Sequence, residues 1–116
     1  MQDFRDLRVW EEAHALALNV HRVAKSIRGP SYVSLRSQLM RAANSVAANI
    51  VEGRAQRGDR EFARFLRIAA ASAAELEYHI VFGADIDVIE NVDAITLQAR
   101  VTIVRKMLHN LIQSLR

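Results

Sequence analysis

The chain has 116 residues, 51% of them hydrophobic and 25% charged, which suits one folded domain over residues 1–116 and excludes an intrinsically disordered chain. There is no cysteine, so neither a disulfide frame nor a thiolate metal site can form. The net charge of +3 comes from fourteen arginines and two lysines against thirteen acids, and it permits nucleic-acid binding without requiring it.

Charges fall every two or three residues in MQDFRDLRVWEE, Met1 to Glu12, so no signal-peptide apolar region is expected there. The longest apolar runs, such as Ile68 to Ala71, are far short of a bilayer span. The expectation is a cytoplasmic protein with no membrane partner. Alanine, leucine and arginine dominate, while glycine occurs four times and proline once. So few helix breakers predict long helices and few joints.

The first helix is predicted over 6–27. Leu7, Trp10, Ala13, Ala17, Val20, Ala24 and Ile27 recur at steps of three and four and form its apolar stripe. Asp3 and Asp6 are acidic candidates for its start, where the helix dipole favours them. Gly29-Pro30 ends it, because Gly accepts a left-handed cap and Pro disfavours helical geometry in the residue before it. Ser31 to Ser34 reads as a loop, with Ser34 as N-cap of a second helix over 35–54 whose stripe is Leu35, Leu39, Ala42, Ala43, Val46 and Ile50. Gly58-Asp59 marks a restart, with Asp59 as N-cap of a third helix over 59–82. Phe62, Phe65, Leu66, Ala69, Ala73, Leu76 and Ile80 face its core. Residues 83–92 (GADIDVIENV) read as a turn anchored by Ile86 and Val88. The fourth helix covers 92–114, with Leu97, Val101, Val104, Leu108, Leu111 and Leu115 inward. Ile103, Met107 and Ile112 widen that stripe beyond the needs of one core. Four helices of about 20 residues, each about 30 Å long, with short links predict an all-α, antiparallel up-down-up-down four-helix bundle.

Charge is unevenly distributed. Residues 36–67 hold seven arginines and three acids, net +4, whereas residues 75–93 hold six acids and no base, net −6. The second and third helices meet at the basic segment, and the third and fourth meet at the acidic one. The molecule should be basic at one end and acidic at the other.

Three groups of polar residues stand out. On the second helix, Gln38, Arg41, Ser45, Asn49 and Glu52 are spaced three, four, four and three apart and share one face. Ser and Asn cost helix propensity in mid-helix. Keeping them aligned there points to a hydrogen-bonded network, buried or at a subunit interface; the plainer reading is a solvated face. On the third helix, Ser72 and Glu75 share a face, and an antiparallel neighbour brings Arg41 near Glu75. Buried, such a pair would contribute register and specificity more than net stability; the plainer reading is a surface ion pair that contributes roughly 0–1 kcal/mol. Around the joint, Arg54, Arg57, Arg60, Arg64 and Arg67 form a basic stripe suited to phosphates, with a solubilising outer face as the plainer reading. No aromatic interleaves them except Phe62 and Phe65, which the core already claims, so base stacking is not expected.

The four histidines suggest no metal. Glu75 and His79 have ligand spacing, but the paired Glu-x-x-His motifs of di-iron bundles are absent. No phosphate-binding glycine loop, dinucleotide fingerprint, nucleophile elbow or zinc-protease motif occurs. Neither an enzyme activity nor a cofactor is predicted.

FRDLRVW (Phe4 to Trp10), QLMRAANSVAANIVEG (Gln38 to Gly53) and EFARFLRIAAASAAEL (Glu61 to Leu76) resemble the bacterial 23S rRNA intervening-sequence proteins. The resemblance spans nearly the whole chain and is more general in the fourth helix, which ends ML-x-x-LI-x-SLR (Met107 to Arg116). Two departures stand out: Ala55-Gln56 where the family usually has Gly-Arg, and Ala71-Ser72 where it usually has Gly-Ser. The first leaves the joint's charge on Arg54 and Arg57. The resemblance implies a left-handed four-helix bundle assembled as a ring, commonly a homopentamer, with no enzymatic activity. It also implies kinship with basic pentameric accessory proteins of diversity-generating retroelements, which bind nucleic acid and a reverse transcriptase.

The resulting expectation is a non-enzymatic homo-oligomeric scaffold or accessory protein with a basic end for nucleic acid. The alternative is a monovalent RNA- or DNA-binding module using the same arginines. Charge alone leaves open whether the basic end meets nucleic acid or the acidic end of another subunit.

Overall fold

The computed structural model describes residues 3–115. Met1, Gln2 and Arg116, the last residue of the C-terminal motif, lie outside them. The described residues form four α-helices and no strand: α1 (Arg8–Ser26), α2 (Val33–Arg54), α3 (Asp59–Asp85) and α4 (Asn91–Ser114). They lie side by side in a body of 45 × 21 × 19 Å. Each helix packs on the next, and α4 closes back on α1.

The elements correct the predicted boundaries. The chain opens with a 3₁₀ turn, Phe4–Asp6, so the first α-helix starts at Arg8 rather than at Asp6. Asp3 caps that turn, its carboxylate accepting from the Arg5 amide at 2.9 Å. Ser34 is not an N-cap. A second 3₁₀ turn, Pro30–Tyr32, runs directly into α2, and Ser34 falls in the first turn of that helix. Asp59 is the first residue of α3, preceded by Gly58 at φ 82°, a left-handed angle that glycine adopts without strain. Its carboxylate still lies where the helix dipole favours it. The predicted turn over 83–92 shrinks to residues 86–90, because α3 continues through Gly83 to Asp85.

Gly83 is a packing position and not a break. A Cβ there would come within 2.5 Å of Ile89 Cδ1. Ile89 is the buried anchor of the turn, whereas Val88 is half-buried and Ile86 is exposed. The Gly83 carbonyl accepts from the amides of Val88 at 2.9 Å and Ile89 at 3.0 Å, which satisfies one of the carbonyls a helix end leaves open.

One core cluster links all four helices. The stripe of α2 is buried as predicted, and so is that of α3 except Phe65, which is half-buried. In α1 the centre of the buried face is Val9, Leu16 and Val23, with Leu7, Trp10 and Ala17 half-buried at its margin. Helix α1 packs against both α2 and α4, so its apolar arc is wider than one lane. Trp10 turns outward enough to meet Phe4 edge-on and to stack on His14, both at 4.9 Å between ring centroids. Ile103 of α4 is exposed, while Met107 and Ile112 pack against the core.

Helices α2 and α3 approach most tightly at Gly53. A Cβ there would lie 2.8 Å from Phe65 Cβ and 3.0 Å from Phe62 Cδ1. Phe65 Cβ is fixed to its backbone, so relief requires moving a helix. Gly53→Ala should therefore lower stability by about 1–3 kcal/mol, even though alanine is the better helix former by about 1 kcal/mol. Thermal or urea unfolding measures this. A variant as stable as the parent would show that the two helices part there at little cost.

Candidate functional site

The α2/α3 approach brings the predicted polar residues into two clusters. In the middle of the face, Ser45 Oγ and Ser72 Oγ lie 2.7 Å apart across the two helices. Asn49 donates its side-chain amide to the Ser45 carbonyl at 2.8 Å and to Ser45 Oγ at 3.1 Å. All three residues are half-buried. These contacts explain why mid-helix Ser and Asn are tolerated: their polar groups find each other.

One turn further, Arg41 donates to Gln38 Oε1 at 2.5 Å and lies 3.8 Å from Glu75, with side chains 71% and 48% exposed. Such a pair contributes at most about 1 kcal/mol. Glu75 also lies 3.3 Å from His79 Nε2. Glu52 stays outside both clusters and is exposed, and its backbone carbonyl accepts from the Gln56 side-chain amide at 3.1 Å. No polar or charged residue among the described residues is fully buried, so this face is part of the protomer's surface.

Beyond Gln38 the same face opens into a groove of about 450 Å³, lined by Tyr32, Leu35, Gln38, Tyr78, Phe82 and Ile86. Sequence reading missed it. The signal was present: once Phe62, Leu66, Ala69, Ala73, Leu76 and Ile80 are assigned to the core, Tyr78, Phe82 and Ile86 fall on the outer side of α3 at steps of four. Their size there had no structural purpose to serve within one bundle.

At the other end of the face lies the basic joint. Arg54 sits 5.7 Å from the Phe62 ring centroid and Arg64 4.6 Å from that of Phe65. Arg64 also pairs with Glu61 at 3.1 Å. The two phenylalanines thus carry arginines instead of offering free rings. Arg57, Arg60 and Arg67 are exposed. Asp85, Asp87 and Glu90 lie at the far end of the 27-residue α3, about 40 Å away at 1.5 Å per residue.

Another arginine was missed. Arg36 donates to the carbonyls of Ile27 and Gly29, both at 3.0 Å, and so closes the C-terminal end of α1 from α2. Nothing in its spacing announced this. Among the described residues no three His, Cys, Asp or Glu side chains gather at a metal-binding distance, and no helix is long and apolar enough to cross a membrane.

The fold is similar to a solved crystal structure from Bacteroides thetaiotaomicron, described as a protein with unknown function from the S23 ribosomal protein family. The TM-score is 0.85 at 22% identity, over 90% of this chain and 98% of that one. No curated protein matches the sequence. The model of the family described as 23S rRNA-intervening sequence protein matches residues 5–110, the span that contains the polar face, the groove and the basic joint. The chain belongs to the 23S rRNA-intervening sequence protein family.

Proposed function

We propose that this chain is a non-enzymatic helical-bundle scaffold or accessory protein that works as an assembly of several copies in the cytoplasm, with the basic joint as its contact for an anionic partner. In this reading the whole chain is one up-down-up-down bundle. The order of contacts supports that path: His21 lies against Met40 and Ile27 against Arg36, and Gly53 lies against Phe65, Ser45 against Ser72 and Arg41 near Glu75, so numbering rises on one helix as it falls on the next from α1 through α3. The left-handed twist and a ring of five copies come from the family resemblance.

Exposed apolar surface carries the reading. Tyr78, Phe82 and Ile86 stand out from α3, and Val92, Ile95 and Ile103 from α4. Single exposed aliphatics are ordinary on a monomer, but rows of large ones rimmed by polar groups mark interaction surfaces. The Gln38, Arg41, Ser45, Asn49, Ser72 and Glu75 face adjoins the groove and supplies the directional polar contacts that an interface uses for register. Light scattering at micromolar concentration should give a mass several times the 13.1 kDa of one chain. A mass of one chain would overturn the proposal.

A monovalent nucleic-acid module is the second reading, favoured by the exposure of Arg57, Arg60 and Arg67 beside Arg54 and Arg64. Both readings expect RNA and DNA oligonucleotides to bind at low salt. Affinity should fall with log–log slopes of about −0.7 to −0.9 per phosphate neutralised. Converting Arg57, Arg60 and Arg67 to Glu should abolish the binding. Absence of binding by the parent at low salt would remove nucleic acid from both readings.

A further inference from the structure

We infer that the α2/α3 groove of one copy receives the outer ridge of α4 from a second copy, so that two different faces of the chain meet head to tail. This rests on the self-assembly proposed above.

The ridge is the first observation. The outward side of a surface helix is normally polar. On α4 it carries Val92, Ile95 and Ile103, which are 66%, 69% and 48% exposed, with the exposed Ala99 between them. Their spacing of three, four and four puts them on one side of the helix. They stay exposed among the described residues, since the core-facing residues of α4 are Ala94, Leu97, Val101, Val104 and Leu108.

The groove is the second observation. Tyr78, Phe82 and Ile86 are 61%, 43% and 40% exposed and stand beside Tyr32 and Leu35. It runs along the helices, as a helical ridge requires.

Height matches the two. Glu77 of α3 accepts from Arg105 of α4 within the chain, which sets the level of one helix against the other. The residue numbers on the two helices then run in opposite directions at the same rise per residue. In an assembly whose symmetry axis runs along the helices, every copy stands at the same height. The second copy's α4 therefore presents Ile103 at about the level of Tyr78, Ala99 at that of Phe82 and Ile95 at that of Ile86. The small Ala99 of the ridge falls opposite the Phe82 ring, and Ile103 and Ile95 fall opposite Tyr78 and Ile86.

Charge agrees. The α3 wall of the groove lies within the segment 75–93, which is net −6, whereas α4, after Asp93 at its start, holds Arg100, Arg105 and Lys106 and no further acid. Lys106 comes level with Glu75. Two copies meeting groove to groove would instead bring together the acids that flank the lining, Glu75 and Asp85 among them, which disfavours a symmetric groove-to-groove dimer. An interface between unlike faces closes into a ring when the rotation permits.

Two single variants test this, Phe82→Arg in the groove and Ile95→Arg on the ridge. Both positions are exposed in the chain, and helical circular dichroism with a thermal transition like the parent's confirms that each folds. Each variant alone should have the 13.1 kDa mass of one chain. Phe82→Arg keeps its ridge and Ile95→Arg keeps its groove, so an equimolar mixture should form a 1:1 pair of twice that mass and no larger species. An assembled parent whose Ile95→Arg variant remains assembled would overturn the ridge assignment while leaving self-assembly intact. A mixture that stays at one chain's mass would overturn the head-to-tail pairing. A parent of one chain's mass would remove the self-assembly itself. Lys106→Glu should weaken assembly, and Glu75→Lys in the same chain should restore it; equal weakening by the double variant would discard the charge contact.

Discussion

Gly53 has no room for a side chain, and much of the α2/α3 face follows from that. A Cβ at this position would collide with Phe65 and Phe62, so the helices meet there at backbone distance. Close approach at one end fixes how far α2 is advanced along α3. It sets Ser45 opposite Ser72 and brings Arg41 within reach of Glu75. A shift of one residue would rotate those partners off the shared face by about 100°. The hydroxyl pair and the exposed ion pair are too weak to impose that register alone. Packing at Gly53 imposes it, and the polar groups make it specific.

The same register leaves the far half of the face open. Small residues, Ala69 and Ala73 among them, let α3 lie close to its neighbours through the middle of the bundle. Toward its C-terminal end the side chains on the α2 side become Tyr78, Phe82 and Ile86, and α2 answers with Ser34, Leu35 and Gln38 next to the 3₁₀ turn at Pro30–Tyr32. Large rings facing a short helix start cannot be covered from within, and a groove results. Gly83 leaves room for Ile89 to pack inward, so the turn after α3 is committed to the core.

Much of this was legible in the sequence. Helical periodicity identified all four helices and nearly all the buried residues of α2 and α3, because each has one dominant apolar lane. It misplaced the centre of α1, where two lanes compete and only contact with both α2 and α4 decides between them. It read Gly83 as a breaker because glycine signals either a turn or a close approach, and the difference lies in Ile89, six residues away and on another element. The alignment of Gln38, Arg41, Ser45 and Asn49 was visible in spacing. The division into a serine–asparagine cluster and an arginine–glutamate cluster was not, since it depends on which residues of α3 arrive opposite. Ser34 and Asp59 carried good capping chemistry, yet a 3₁₀ turn and a left-handed glycine took the cap positions.

Charge distribution connects the two proposed surfaces. Copies standing side by side at one height gather their basic joints at one end and their acidic turns at the other. In the proposed assembly each joint would add its arginines to a shared cationic surface, and like charges at both ends would oppose the association that the apolar ridge and groove favour. Salt would screen that opposition, since the Debye length is only about 8–10 Å near physiological ionic strength. A polyanion at the basic end relieves it directly. Anything that binds the assembled form more tightly than the single chain must stabilise assembly by the same factor. If the proposed arrangement holds, the arginines around Gly58 and the aliphatics of α4, on different helices and of opposite chemistry, would act on one equilibrium: binding of an anionic partner and binding of further copies would reinforce each other.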